Sequence, residues 1–395
     1  MVTSYASVSP DALFAFDSLL DDEELAIRDT TRSFVDRRIR PAVADSYSKG
    51  EIPAQELALE LGDMRLLGMH LEGYGCAGLS AIAYGLACLE LDAGDSGIRS
   101  LVSVQGSLAM YAIHTFGSEA RRSEWLPRMA TGEAIGCFGL TEPDFGSDPG
   151  GMRTSGQKDG DDWILNGTAM WITNGSIAQV AVVRARTEDG IRGFVVPSDT
   201  RGLTTRLIKQ KLSLRASVTS ELILSDVRLP GTAILPEAKG LSGPLACLSE
   251  ARFGIVLGAL GAARDCLLTA LQYAGSRGQF GRPIAGFQLT QAKLADMALE
   301  YGKGMLLALH LGRLKDPGAL TPQQLSLMKQ QRSGSYHHCP RVPHHPRGEW
   351  HHAGVLRDAA REQPRVSPHL RRHERDAHSG HRPGAHWALC VPVSP

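Results

Sequence analysis

Two short stretches of the sequence carry the residues best suited to bind a flat ring. The first, Cys137-Phe-Gly-Leu-Thr-Glu-Pro-Asp-Phe-Gly-Ser-Asp148, is an apolar run that gives way to a loop rich in hydroxyl and carboxylate groups. Such a loop offers backbone N–H groups and side-chain oxygens to a heteroaromatic ligand. In the second, Met170-Trp-Ile-Thr-Asn174, strand alternation places Trp171 and Thr173 on one face. Either stretch alone also fits an ordinary strand and turn around a core tryptophan.

The overall composition bounds the classes of protein to which the chain can belong. Its 395 residues suffice for two or three domains, and its zero formal net charge argues against a dedicated nucleic-acid surface. No run approaches the roughly 18 apolar residues of a membrane span. The seven cysteines are scattered without CxxC spacing, and the first ten residues carry no export or organelle pattern. We therefore expect a cytoplasmic protein with no membrane and no nucleic-acid partner.

Hydrophobic periodicity divides the chain into three folded regions and a tail. Helical patterns predict an N-terminal helical domain over residues 17–134 and a C-terminal helical bundle over residues 237–330. Short apolar runs predict a β domain over residues 135–236, with a two-residue hairpin turn at Asn166-Gly167. The predicted fold class is therefore α+β, mainly α, and residues 331–395 form a separate, aberrant tail.

The two ring-binding stretches resemble the flavin-binding segments of the acyl-CoA dehydrogenase family, most closely the glutaryl-CoA dehydrogenases. Further matching motifs are Asp95-Ser-Gly-Ile-Arg-Ser-Leu-Val-Ser-Val-Gln105, Gly117-Ser-Glu119, Lys211-Leu-Ser-Leu-Arg-Ala-Ser217, Ala251-Arg-Phe-Gly254 and Arg277-Gly-Gln-Phe-Gly281. The likeness runs from Asp17 to about Gln330, which is more than three quarters of the chain. It implies the fold of that family, in which helical domains flank a β domain.

The resemblance implies FAD as the cofactor and assigns residues to it. The residues that would line the flavin are Phe138, Leu140, Thr141, Ser147, Trp171, Ile172 and Thr173. Arg277 and Gln288 match positions that reach the diphosphate and adenosine half of FAD from a neighbouring subunit. For Arg277 the alternative is an arginine that caps the carbonyl groups at a helix C-terminus.

The resemblance also assigns residues to an acyl-CoA substrate, and Arg99 is the most informative of them. The set is Arg99, Ser100, Ser103, Ser147 and Arg252. A guanidinium in an apolar pocket requires an anion, and the distal carboxylate of a glutaryl group would supply one. The alternative is that Arg99 pairs with Asp92 or Asp95 on a solvated face.

The reaction implied is FAD-dependent α,β-dehydrogenation of glutaryl-CoA followed by decarboxylation to crotonyl-CoA. A carboxylate base would take the α proton, and electrons would pass to an electron-transfer flavoprotein. The family assembles as tetramers, so a homo-oligomer is expected. Two alternatives stay open: dehydrogenation of another short-chain acyl-CoA, and a non-catalytic protein that binds flavin or acyl-CoA.

The tail has a different composition from the rest of the chain. Eleven of the fourteen histidines lie at or beyond His337, and no Ile, Phe or Met follows Gly334. Three interpretations compete: a metal site built from the paired histidines, a disordered basic tail, and a slipped reading frame. The third is favoured because codons for residues 369–376, read one nucleotide later, can encode Thr-Tyr-Glu-Gly-Thr-Ser-Gly. Tyr-Glu-Gly-Thr carries the catalytic glutamate in this family, so no catalytic residue is identified in the chain as written.

Overall fold

A computed structural model describes residues 9–337 of the chain, with side-chain surroundings for residues 9–330. Its first part is helical. The helices are α1 (Pro10–Leu13), α2 (Asp22–Phe34), α3 (Val43–Lys49), α4 (Ala54–Asp63), α5 (Ala81–Gly94), α6 (Ser96–Ser103), α7 (Tyr111–Phe116) and α8 (Glu119–Ala130). Helix α2 starts at a capping box in which Asp21 and Glu24 each bond the backbone N–H of the other. A π-helical turn, Val104–Met110, joins α6 to α7.

The middle part is an eight-stranded sheet. Its strands are β1 (Gly136–Gly139), β2 (Ser155–Asp159), β3 (Asp162–Thr173), β4 (Val180–Thr187), β5 (Gly190–Pro197), β6 (Leu203–Leu207), β7 (Thr219–Pro230) and β8 (Ile234–Lys239). The strand order is β6-β7-β3-β2-β4-β5-β8, and β1 pairs in parallel with β4 from Gly136↔Val180 to Gly139↔Val183. The change from helices to strands falls between residues 130 and 136, and the change back falls between residues 239 and 242.

The last part is again helical. It contains α9 (Ser242–Ser276), α10 (Gln288–Lys315) and α11 (Pro322–His337), and a small hairpin of β9 (Gly278–Gln279) and β10 (Arg282–Pro283) lies between the first two. Helix α11 continues beyond the predicted boundary at residue 330. Helices make up 54% of the structure, which confirms the α+β, mainly α prediction.

Helix α9 corrects one expectation about apolar content. Among the described residues it is the one helix that is long and apolar enough to cross a membrane by length and composition. However, 61% of its most apolar window is buried inside the protein, chiefly against α5. Burial in the core therefore accounts for its apolar character.

The predicted hairpin turn at Asn166-Gly167 is wrong. Strand β3 runs through both residues with a bulge between Leu165 and Gly167, and the turn instead lies at residues 160–161, where β2 meets β3. A larger residue at position 167 would collide with Thr154, so this glycine serves close strand packing. Tertiary contacts thus override a strong local turn signal.

The two faces of the sheet belong to different cores. One face, with residues such as Trp163 and Phe194, packs within the β domain itself. The other face carries Phe138, Val182 and Leu235 and packs against helices α8 and α9. The strand ends that hold the ring-binding stretches are therefore fixed by packing on both sides.

Candidate functional site

The structure brings the two ring-binding stretches together. The backbone N–H of Met170 donates to the carbonyl oxygen of Thr141 at 2.7 Å. The side-chain amide of Asn174 donates to the carbonyl oxygen of Gly136 at 3.3 Å. The end of β3 is thereby joined to β1 and to the loop that follows it, and the two stretches form a single surface.

Glu142 fixes the shape of the loop between β1 and β2. Its carboxylate is buried and accepts hydrogen bonds from the backbone N–H groups of Arg153 and Thr154, each at 2.8 Å. The ring of Phe145 packs directly on Gly151, where a larger residue would collide with it. The carboxylate predicted to offer oxygens to a ligand is therefore used to close the loop on itself.

Ser147 is the polar group of this loop that lacks a partner. Its hydroxyl oxygen is buried and has no hydrogen-bond partner among the described residues. A buried hydroxyl without a partner costs free energy, so such a group in a native fold requires an explanation. Since Thr141 lies half-buried at the start of the same loop, two hydroxyl groups share this surface.

Trp171 reaches this surface through a bulge, and regular strand alternation does not describe it. The register of β3 shifts between Ala169 and Ile172, and Trp171 has a left-handed backbone with φ 64°. Its side chain is 43% exposed, whereas Ile172 is buried and Thr173 is half-buried. A non-glycine residue in this conformation is costly and is often found at ligand sites.

Arg99 lies on helix α6 within a buried ion pair. Its Nε donates to Oδ2 of Asp92 on α5 at 2.7 Å, and Asp92 also accepts a hydrogen bond from Ser96. Both side chains of the pair are almost fully buried. The pairing with Asp92 that we considered as an alternative is thus present, but it is buried and not on a solvated face.

The two serines predicted beside Arg99 differ in their surroundings. Ser103 is buried and interacts with the hydroxyl of Tyr84, which also hydrogen-bonds Ser107 at 2.7 Å. Ser100 is half-buried. The same helix face thus presents a guanidinium and several hydroxyl groups to α5.

The N-terminus of α6 is capped by Asp95, which we considered above only as a partner of Arg99, and it packs on the loop that contains Lys211 and Ser217. Asp95 accepts from the backbone N–H groups of Gly97 and Ile98, and burial raises the pKa of this carboxyl to about 6. Lys211 donates to the carbonyl oxygens of Leu214 and Ser217, and burial lowers its pKa to about 8. Because Gly97 packs directly on Ser217, this loop supports the helix that carries Arg99.

Arg252 on helix α9 is a half-buried cation. Burial lowers the pKa of its guanidinium, and among the described residues no carboxylate is paired with it. Such a side chain is suited to an anionic ligand.

Arg277 and Gln288 flank the β9–β10 hairpin, which connects α9 to α10. The residue at the tip of this hairpin, Phe280, is 92% exposed. Arg277 follows Arg252 by about 25 residues along α9, or roughly 38 Å at the rise of an α-helix. Arg277 therefore lies far from Arg252 within one chain.

No general base can be assigned within the described residues. The segment proposed to encode the family's glutamate in another frame, and the paired histidines, lie outside residues 9–337. Among the residues that were described, no group of three or more metal-binding side chains occurs.

Comparisons with known proteins assign the fold to one family throughout. Family models described as the N-terminal, middle and C-terminal domains of acyl-CoA dehydrogenase match residues 21–133, 137–227 and 238–339. The chain is 38% identical over 294 residues to the mitochondrial short-chain specific acyl-CoA dehydrogenase of Homo sapiens, covering 73% of this chain and 71% of that one.

Two solved structures of glutaryl-CoA dehydrogenase from Mycobacterium smegmatis are also similar. One is 61% identical with a TM-score of 0.88. The other, in complex with FADH2, is 52% identical with a TM-score of 0.87. Each similarity covers 95% of this chain and 99% of the other.

Proposed function

Because this chain belongs to the acyl-CoA dehydrogenase family, we propose that its fold serves the FAD-dependent oxidation of glutaryl-CoA. The family consists of oxidoreductases that act on acyl-CoA thioesters. The alternative substrate is another short-chain acyl-CoA, which the short-chain specific relatives favour. Our proposal of a dicarboxylic acyl group as substrate rests on the buried guanidinium of Arg99.

The residues present fit a bound flavin. The buried hydroxyl of Ser147 has no hydrogen-bond partner within the described part of the chain and lies in the same loop as the half-buried Thr141. Trp171 is 43% exposed and is held in a left-handed backbone conformation beside that loop. A ligand with a flat apolar body and a polar edge would stack on the indole and satisfy the hydroxyl groups. FAD, bound there, supplies the hydride acceptor.

Residues of the protein would hold the ligands in position and remove the α proton. Ser147 and Thr141 would fix the flavin edge, and Arg252 would hold an anionic part of the CoA thioester near helix α9. Removal of the α proton requires a carboxylate in a dry site, and the tail as written carries none in the family's motif. We therefore propose that this exact chain binds its ligands but turns over poorly.

Arg99 supports the dicarboxylic substrate through the geometry of its ion pair. Asp92 accepts a hydrogen bond from Nε, and among the described residues neither Nη group has a hydrogen-bond or ion-pair partner. Those two groups form the fork that binds a carboxylate bidentately. Asp92 would hold the guanidinium in one orientation and leave the fork for the distal carboxylate of glutaryl-CoA.

We also propose an electron-transfer flavoprotein as electron acceptor and a homotetramer as the working assembly. The hairpin with the exposed Phe280 supports assembly, because Arg277 and Gln288 would reach a flavin only in a second copy. The cytoplasmic location stays a prediction from the sequence.

The substrate test removes the ion pair without leaving a buried charge. The double variant Arg99→Gln/Asp92→Asn is neutral, and it is made in a chain whose reading frame is shifted from codon 331. We expect kcat/KM for glutaryl-CoA to fall by about 10²-fold, or roughly 3 kcal/mol, while butyryl-CoA is oxidised as before. Equal losses on the two substrates would show that Arg99 does not select a dicarboxylic group.

The same measurements separate an enzyme from a binding protein. We expect the chain as written to retain yellow flavin with little turnover in the presence of an electron acceptor. Resequencing the gene around codons 329 to 333 tests the slipped frame directly. An uninterrupted frame together with rapid turnover by the chain as written would contradict the proposed loss of its base.

A further inference from the structure

Arg184 is a buried cation in a part of the protein that the proposed chemistry does not use. It lies on β4, and its side chain is 2% exposed. It enters the apolar core between the sheet and helix α9, which contains Phe138, Val182 and Cys247. Charged side chains are almost never buried this fully unless they are paired.

The guanidinium of Arg184 has few partners. Its Nη2 is 4.0 Å from the sulfur of Cys247, while Nε and Nη1 have no hydrogen-bond partner among the described residues. Burial lowers its pKa, and Cys247 opposes that shift. No carboxylate among the described residues is paired with it. Within that part of the chain the positive charge is uncompensated, which disfavours the folded state unless something else offsets it.

The surrounding backbone is shaped to receive this side chain. A Cβ atom on Gly193 of β5 would lie 2.5 Å from Nη1 of Arg184, and one on Gly243 of α9 would lie 3.4 Å from it. Two glycines thus leave room for the guanidinium on either side. The buried position follows from strand pairing and helix packing, so the charge is held in one place.

The guanidinium of Arg184 lies over the aromatic ring of Phe138. The central carbon of the guanidinium is 5.5 Å from the centroid of this ring, within the range of a cation–π contact. Phe138 belongs to β1, at the start of the stretch assigned to the flavin. The charge of Arg184 therefore contacts the first residues of the stretch that is assigned to the flavin.

We propose that Arg184 is an electrostatic residue of the flavin site, whose fixed charge favours the reduced form of the bound flavin. This proposal rests on the proposed FAD site. The hydride that leaves the acyl β carbon brings two electrons and one negative charge to the flavin, and the α proton goes to a base. A cation held in an apolar region acts strongly on a charge that develops nearby, because little water screens it. Arg184 thus raises the reduction potential of the flavin.

The test compares the full chain with charge-removing variants after reconstitution with FAD. Arg184→Met keeps the length of the side chain and removes the charge. Arg206→Met removes one positive charge from the exposed edge strand β6 and serves as the control. The flavin is reduced with dithionite beside a reference dye. We expect the equilibrium constant for reduction to fall by about tenfold in Arg184→Met, or about 30 mV for two electrons, and to stay unchanged in Arg206→Met.

Two further variants of Arg184 test whether the charge itself sets the reduction potential. Arg184→Lys retains a charge and should preserve most of the potential, while Arg184→Gln should lower it as Arg184→Met does. If the variants take up FAD and the potential does not move, the inference is wrong. If both charge-removing variants fail to fold, Arg184 has a structural role and the inference is also wrong. Failure of the unaltered chain to take up FAD would instead refute the proposed flavin site.

Discussion

Nε of Arg99 lies 2.7 Å from Oδ2 of Asp92, and the two side chains meet against Gly258 on helix α9. A Cβ atom at position 258 would collide with the carboxylate and lie 3.2 Å from Nε of Arg99. Three helices therefore meet at this ion pair, and the absence of one methyl group allows it to form. The geometry ties Arg99, which we propose selects the substrate, to the packing of the core.

Gly258→Ala should destabilise the protein and disturb the pair. We expect the free energy of unfolding to fall by about 1–3 kcal/mol, because the added methyl group forces buried neighbours to shift. Gly275→Ala is the matched control on the same helix, since a Cβ atom there meets no other atom within 4 Å. Because Gly275 lies in the exposed last turn of α9, that change should alter stability by less than about 1 kcal/mol. Urea unfolding followed by circular dichroism measures both, and similar effects at the two glycines would contradict the described packing.

Glu142→Gln should loosen the loop that carries Ser147. The buried carboxylate accepts two backbone hydrogen bonds, and a neutral amide accepts them more weakly and introduces unpaired donors. We expect a loss of about 1–3 kcal/mol and faster hydrogen exchange at Arg153 and Thr154. The control is Asp144→Asn, which removes an exposed ion pair with Arg153 and should change stability by less than about 1 kcal/mol. Unchanged exchange in Glu142→Gln would show that the loop is held by other contacts.

Acid should destabilise the protein partly through His70. Both ring nitrogens of His70 are buried without a partner among the described residues, and burial lowers its pKa from 6.5 to about 3. Between those values the unfolded chain binds one proton more, so stability is present above pH 6.5 and is lost as the pH falls. This single group contributes a slope of up to about 1.4 kcal/mol per pH unit.

The measurement is urea unfolding at pH 7, 6 and 5. His70→Phe keeps an aromatic ring beside Tyr84 and should remove part of the acid sensitivity. His310→Gln, on the exposed side of α10, is the control substitution of a histidine. If His70→Phe and the unaltered protein lose stability in parallel, His70 is not the source of the slope.

Much of the fold followed from the sequence, because long helices and alternating strands have clear periodicities. The three-part architecture was accessible in this way. The assignment of the two stretches to a flavin came from the family resemblance and stays a prediction. The turn at Asn166-Gly167 was predicted wrongly because pairing with β7 continues across it through a bulge. A similar bulge, between Ala169 and Ile172, sets the backbone conformation of Trp171. The alternation of side chains along a regular strand therefore did not predict this conformation.

The buried charges were the least accessible part of the site. The apolar run of β4 ends at Val183, so Arg184 looks like a residue at the end of a strand. Strand β4 nevertheless continues to Thr187, because it is paired with β5 along its whole length. Only the position of α9 over this sheet face makes the guanidinium a core group. The role of Glu142 was hidden for a similar reason, since its partners are backbone groups of a distant part of the loop.

Trp171→Ala should separate flavin binding from folding. Trp171 is 43% exposed, so more than half of the residue is buried in the apoprotein and the loss of its ring also removes apolar contacts there. We therefore expect a loss of about 1–3 kcal/mol in the free energy of unfolding without FAD. The flavin would lose a large stacking surface, so its Kd should rise by roughly tenfold or more. Flavin fluorescence titration measures the Kd, and Leu13→Ala, which truncates an exposed leucine far along the chain, is the control. An unchanged Kd in Trp171→Ala would mean that the indole does not contact the flavin, and a large loss of apoprotein stability would mean that its role is structural.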